Sequence, residues 1–290
     1  MSTSQAHALN DSDSPGGGFI TQLVESFRFE DAKLPSLPDA VIYLESAIRD
    51  NTVSLAVLAN LLEKDPVLAA RLIRVANSVY YRSVEPIEDV PAAVTRIGFS
   101  ATRNIALVLL GNSFTARHEL VAQKIAELWE ESLRTSAITA CLSKYYPLAD
   151  YNRAMLGGLM YNVGAMLLLT KIDEKVQTLT NPIVLDHMLD KYSCQFGRQL
   201  LEHWEMDPDL VDVAGNRNQW HRMHVHSADL TDLTLVARYC SDATEEQLRA
   251  CELLPCYQRI QKYAFGNHSL PGIVAEAQDA IDETFTMLTG

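Results

Sequence analysis

AMLGGLMYNVGAMLLLT, residues 154–170, is a run of 17 uncharged residues between Arg153 and Lys171. Its length touches the lower limit for a membrane-crossing helix, roughly 17–25 residues. Its composition points elsewhere: it carries Tyr161, Asn162 and the glycines 157, 158 and 164, and no second such segment occurs. The stretch therefore reads as a helix buried at the centre of a globular protein. Its glycines match neither GxGxxG nor GxxxxGK[ST], so they read as places of close helix packing rather than as a phosphate-binding loop.

The helical period extends in both directions from this segment. In DPVLAARLIRVANS (65–78), Asp65 can accept from the free amides of a first turn, and Pro66 fits the first helical position. Leu68, Leu72, Ile73 and Val75 then supply an apolar face. Asp207-Pro208 repeats the device. Further helices are expected from the spacing of Val41, Leu44 and Ile48, and of Leu55, Leu58, Leu61 and Leu62 behind a Ser54 cap. Ser100 is expected to cap a helix through Ile105, Leu109 and Leu110, and a long helix runs through Ile125, Leu128, Trp129, Leu133 and Ile138. Later helices carry Ile183 to Leu189, Leu200 to Trp204, and Leu230 to Ala237, with two more over about 244–264 and 271–288. Ile20, Leu23, Val24 and Phe27 follow the same period near the N-terminus, whereas residues 1–18 (MSTSQAHALNDSDSPGGG) read as disordered. There is no alternating strand and no hairpin signal. The chain is expected to be all-α, with about a dozen helices. An N-terminal helical subdomain is expected over about 19–116, a second over about 117–240, and a helical extension over 241–290.

Composition limits the functions available. Of 290 residues, 48% are apolar and 21% charged, enough for a sizeable core without a disulfide or metal staple. Lys and Arg number 24 against 37 Asp and Glu, a net charge of −13. Such a chain is repelled by phosphate backbones and anionic membranes, so neither nucleic acid nor membrane is expected as a partner. The odd set of five cysteines, with no CxxC, and the polar N-terminus fit a reduced, cytoplasmic protein.

Motifs for chemistry are sparse. His221 and His224 are three apart and could share a helix face, as in metal sites; His226 would need a bend, and no HExxH occurs. Ser78, Ser132 and Ser193 lack a Gly-x-Ser-x-Gly context. Adjacent carboxylates such as Glu130-Glu131 and Glu245-Glu246 point about 100° apart on a helix and read as solvated faces. The residues alone make no positive case for an enzyme.

An ordered series of segments resembles the HDOD family, bacterial signalling-output relatives of the HD metal-dependent phosphohydrolases. The segments are LPSLPDAV (34–41), DPVLAARLIRVANS (65–78), PIEDVPAAVTRIGF (86–99), LWEESLRTSAITACLSK (128–144), GLMYNVGAMLL (158–168) and FGRQLLEHWEMDPDLV (196–211). The resemblance covers about 33–240 and implies an HD-like helical core with an additional N-terminal helical subdomain. HD enzymes hold their metals with His residues, a His-Asp pair and a distant Asp. Set against that pattern, Glu131 stands at the first His, Tyr161-Asn162 at the His-Asp pair, Ser193 at a further His, Asn218-Gln219 at a His-His pair and Arg238 at the last Asp. Tyr161 would have to ionise from about pH 10 to act as an anionic ligand. Arg238 would put a fixed positive charge at the dication's place and could pair with Glu131. The implied protein is a non-catalytic regulatory module with a degenerate metal site, no cofactor, and signalling proteins acting in trans as partners. Those partners are cyclic-dinucleotide or phosphorelay components by resemblance, and a homo-oligomer is also compatible. Arg71, Arg74, Asn77 and Ser78 form a candidate interaction surface at one end of the 65–78 helix; Asn77-Ser78 could equally just end that helix by local hydrogen bonding. Two other readings stay open. One is a nucleotide- or cyclic-dinucleotide-sensing cleft using Arg238, Asn162 and Tyr161. The other is a phosphohydrolase with substituted ligands, in which Glu131, Asn162 and His221 or His224 converge on one ion.

Overall fold

The computed structural model describes residues 34–50, 54–78, 80–81, 85–175, 182–223, 227–266 and 269–289. Among them there is no strand. The expected disorder of residues 1–18 and the amphipathic pattern at 20–27 lie outside the described residues. Met1–Pro35 and Ser36–Gly290 separate as two units, and all the helices that follow belong to the second.

Helix starts obey the capping chemistry of the sequence at most positions. After the extended segment 34–38 come α1 (Asp39–Asp50), α2 (Leu55–Leu62) and α3 (Pro66–Ala76). Asp65 accepts from Val67 N at 2.9 Å and Leu68 N at 3.1 Å, as its place before Pro66 demands. Ser54 occupies the cap of α2 without a side-chain hydrogen bond. α4 (Val90–Val108) starts at Asp89, which accepts from Ala92 N at 2.7 Å. The break expected at Ser100 falls at Gly98 instead, where φ is +82° and ψ 166° inside α4. Only glycine adopts that conformation at little cost, so Gly98 and not a hydroxyl cap turns the chain. A 3₁₀ turn, Leu109–Ser113, leads to α5 (Glu119–Leu142), α6 (Tyr151–Met160) and α7 (Val163–Lys175). α8 (Pro182–His203), α9 (Pro208–Gly215) and α10 (Leu230–Cys240) follow. The expected helix over 244–264 is divided into α11 (Glu245–Cys251), α12 (Pro255–Ile260) and a 3₁₀ turn, because Pro255 can open a helix but not continue one. The last helix is α13 (Leu270–Thr289).

The apolar stretch 154–170 forms the centre of the molecule. It is two helices, α6 and α7, broken at Tyr161-Asn162, and nearly every side chain from Ala154 to Leu169 is buried. Among the described residues two segments, Val90–Ser113 and Tyr151–Glu174, are long and apolar enough to cross a membrane; 67% and 94% of their most apolar windows are buried. The first was not anticipated, because its apolar character spreads across α4 and the following turn. α5 packs along α6, α10 and α13, and α7 along α8. Two glycines set these distances. A Cβ on Gly158 would stand 2.4 Å from Ser136 Cα in α5, and one on Gly164 would stand 2.1 Å from Gly197 N in α8. The glycines of the stretch thus do the packing work expected of them.

The expected boundary near residue 116 is not a gap in the packing. α1 to α4 pack together, but α4 also touches α6 and α13. Arg103 in α4 reaches Glu45 in α1 at 3.3 Å, and its neighbour Asn104 donates to Asn152 O in α6 at 2.8 Å. Likewise α13, in the expected extension, packs lengthwise on α5.

Candidate functional site

The break between α6 and α7 is where polar side chains enter the core. Helix α6 is started by Asp150, whose carboxylate accepts from Asn152 N and Arg153 N at 3.0 Å each. Ten residues later the helix gives way at Tyr161, and Asn162 follows fully buried. Asn162 Nδ2 donates to Leu128 O in α5 at 3.0 Å, and its Oδ1 accepts from Arg217 Nε at 2.9 Å. The same Arg217 donates through an Nη to Ser193 Oγ at 3.0 Å, while Ser193 itself donates to Leu189 O. The Tyr161 hydroxyl donates to Arg217 O, and the guanidinium lies 5.6 Å from the Tyr161 ring centroid. Arg217 is therefore held on three sides, and only 9% of it is exposed.

Around this group stand the other expected positions. Arg238 in α10 donates to Glu131 in α5, an ion pair that joins the two helices. Asn218 accepts from the Cys194 thiol at 2.8 Å and donates to Asp190 O at 2.7 Å. Glu131, Tyr161, Arg217, Asn218 and Arg238, together with Trp220 and Lys124, line a shallow cleft of about 310 Å³, with Asn162 and Ser193 buried behind it. Lys124 pairs with Asp186 at 3.0 Å at its edge. Burial drives the Tyr161 hydroxyl above its ordinary pKa against the opposing charges of Arg217 and Arg238, so it stays neutral at physiological pH.

Six of the seven expected positions thus converge: Glu131, Tyr161, Asn162, Ser193, Asn218 and Arg238. Gln219 does not. It is exposed in the turn after α9, where its backbone N–H donates to Asn216 O. Its expected place is taken by Arg217, two residues earlier, which the sequence reading missed. The available signal was a cation two residues after the end of the apolar helix α9, beside the residues already assigned to the cleft. His221 is exposed and does not line the cleft, so it does not join Glu131 and Asn162; His224 and His226 lie outside the described residues. Among the described residues no three His, Cys, Asp or Glu side chains group as a metal site.

The second candidate surface is also brought together, but as a cavity. Arg71, Arg74, Asn77 and Ser78 line a chamber of about 760 Å³ between the end of α3, the start of α6 and α13. Asn77 ends α3 by donating to Ile73 O at 2.9 Å, which is the local role considered for it. It also pins the backbone ten residues on, donating to Ile87 O and accepting from Ile87 N, both at 2.8 Å. Arg71 donates to Leu288 O at 2.8 Å and Thr289 O at 3.2 Å, capping the free carbonyls at the end of α13. The opposite wall, contributed by α13, was not legible beforehand.

Comparison with known proteins places this architecture. The HDOD domain family matches residues 34–220. A protein of Treponema pallidum (strain Nichols), described only as uncharacterized, is 23% identical over 207 residues, which is 67% of this chain and 39% of that protein. The chain therefore spans well under half the length of that curated relative. Among solved structures, a Shewanella amazonensis SB2B protein provisionally described as a metal-dependent phosphohydrolase superposes with a TM-score of 0.72 at 22% identity, covering 93% of this chain and 98% of that one. An HDOD domain protein of unknown function from Geobacter sulfurreducens gives 0.68 at 20% identity, covering 93% and 97%. A Marinobacter aquaeolei VT8 protein provisionally described as a signal transduction protein gives 0.57 at 18% identity, covering 97% and 69%. At these identities the likeness carries the all-helical fold.

Proposed function

The chain belongs to the HDOD domain family, and on that premise we propose that it is a non-catalytic regulatory module whose HD-type metal position is occupied by its own paired side chains. One observation carries the reading: the Arg217 guanidinium, held by Asn162 and Ser193, at the break between α6 and α7. A divalent metal in an HD-type site needs carboxylate and neutral imidazole donors. At the positions expected for them stand a buried amide, a hydroxyl, a neutral phenol and two arginines. The single carboxylate, Glu131, is engaged by Arg238. The donor set does not fit a dication, and the fixed charge of Arg217 would repel one at close range.

The same geometry weakens the reading of this cleft as a nucleotide sensor. The groups assigned to hold an anion there, Arg238, Asn162 and Tyr161, are each engaged within the protein. A regulatory module of this kind acts through contacts with other proteins, and cyclic-dinucleotide or phosphorelay components are the partners its family resemblance favours. Its cysteines are all free and four are buried, in keeping with a reducing, cytoplasmic setting.

Catalysis is tested with the purified protein and Mn²⁺, Fe²⁺ or Zn²⁺ on generic phosphomonoesters and phosphodiesters. The expected result is no turnover above buffer. Metal-dependent turnover that disappears in Asn162→Ala or Glu131→Ala would overturn the proposal.

A further inference from the structure

The chamber between α3, α6 and α13 shares no lining residue with the Arg217 cleft. Its volume of about 760 Å³ is that of a small-molecule site. Tyr80 and Tyr151 stack at its wall with ring centroids 5.2 Å apart and planes 21° from parallel. The Lys144 ammonium lies 5.9 Å from the first ring centroid and 5.5 Å from the second. Some polar groups here are already engaged: the Tyr151 hydroxyl with Thr284 at 2.8 Å, and Arg71 with the end of α13. Others are not. Among the described residues the Arg74 guanidinium has no hydrogen bond or ion pair. The Lys144 ammonium has no hydrogen bond or ion pair among them and lies against the two tyrosine rings, and Ser78 Oγ is enclosed with no partner.

Two cations without hydrogen-bond or ion-pair partners, Arg74 and Lys144, thus stand beside an aromatic stack at the mouth of one chamber. The cations attract an acid group, and the tyrosine rings offer a flat apolar surface to a planar body. Asp282 and Glu283 also border the chamber, so its charged groups sum to +1 and suit an anion of low charge rather than a polyanion. We propose that this chamber binds a small planar organic anion, its acid group taken by Arg74 and Lys144 and its ring set against the Tyr80–Tyr151 stack. A nucleoside monophosphate and an aromatic carboxylate share this chemistry. Because α13 forms one wall and α3 and α6 the others, the bound anion fastens the C-terminal helix to the body of the protein. This ligand site does not depend on how the Arg217 cleft behaves.

The test is thermal denaturation and isothermal titration of the full chain with adenosine 5′-monophosphate, guanosine 5′-monophosphate and 1-naphthoate, with adenosine as the neutral control. At least one anion should raise the melting temperature by about 2–4 °C in a saturable manner, and adenosine should not. Arg74→Glu, at an exposed position, should keep the fold and weaken binding by about tenfold or more. Lys144→Glu gives the same readout should Arg74→Glu fail to fold. Arg238→Ala, in the other cleft, should leave binding unchanged. The naphthoate and nucleotide arms separate the two sources of the anion. No shift with any of the anions, or binding that survives both Arg74→Glu and Lys144→Glu, overturns the proposal.

Discussion

The Arg217 cleft and the α3–α13 chamber are built from similar side chains and differ in how those side chains are satisfied. Each contains arginines, a serine, an asparagine and at least one tyrosine. In the cleft, each of these polar groups hydrogen-bonds to another part of the protein: Arg217 to Asn162 and Ser193, Arg238 to Glu131, Tyr161 to Arg217 O. In the chamber, Arg74 and Lys144 lack polar partners among the described residues, and Ser78 Oγ is enclosed alone. A closed polar network stabilises a fold and offers nothing to a ligand. An open one gives up some stability and keeps recognition groups available. The distinction predicts that substitutions in the first region act on stability and those in the second on binding.

The largest effect is expected from Arg217→Ala. It leaves Asn162 Oδ1 and Ser193 Oγ buried and facing a void, and should lower stability by about 2–4 kcal/mol, read as the shift of the urea midpoint. A loss below about 1 kcal/mol would mean that the cleft is not a closed network. Next is Gly158→Ala, which forces a methyl group against the α5 backbone at Ser136 and should cost about 1–3 kcal/mol through overpacking.

Asp173 in α7 extends the comparison to pH. Its side chain is 3% exposed and accepts from Arg117 N at 2.7 Å and His118 N at 3.0 Å. Burial pushes its pKa up, but the hydrogen bonds from Arg117 and His118 outweigh burial and hold it below the ordinary value. The stabilisation is therefore complete above the unfolded-chain pKa of about 3.9 and is lost as pH falls through the lower folded value. Asp173→Asn should cost about 1–3 kcal/mol at neutral pH, with the difference from wild type shrinking below about pH 4. An unchanged difference at acid pH would remove Asp173 from the engaged class.

Smaller effects belong to the chamber. Arg71→Ala should cost about 1 kcal/mol by uncapping α13, and should speed amide exchange in its last turn. Arg74→Ala, with no partner to lose, should stay within about 0.5 kcal/mol of wild type. A substantial loss there would show that Arg74 is structural and would blur the contrast between the regions.

What the sequence made legible follows the range of the forces involved. Asp65 before Pro66 acts on amides two and three residues away, so its cap could be read directly. The glycines of residues 154–170 signalled close packing, although not the partners Ser136 and Gly197. Asp207-Pro208 has the same local signature as Asp65-Pro66, yet Asp207 makes no cap. Its carboxylate is drawn to Arg153 of α6 at 2.9 Å, an interaction that no local pattern encodes. The cleft positions Glu131, Tyr161, Asn162, Ser193 and Arg238 could be placed by the resemblance to the HD pattern, with Glu131, Ser193 and Arg238 on long helices and Tyr161-Asn162 at the break between two. In the turn after α9 nothing fixes register, and Gln219 was named where Arg217 does the work. The chamber's second wall is α13, about 200 residues beyond Arg71 in sequence and far outside local reading.

The central claim, that an arginine fills the place of a metal, is tested most directly by elemental analysis. The full-length protein is purified without tag or chelator, incubated separately with Mn²⁺, Fe²⁺ and Zn²⁺, and desalted. The account predicts that almost no metal remains bound. About one tightly held ion per chain, lost on Glu131→Ala or Asn162→Ala, would contradict it and restore a metal-dependent chemistry to the cleft.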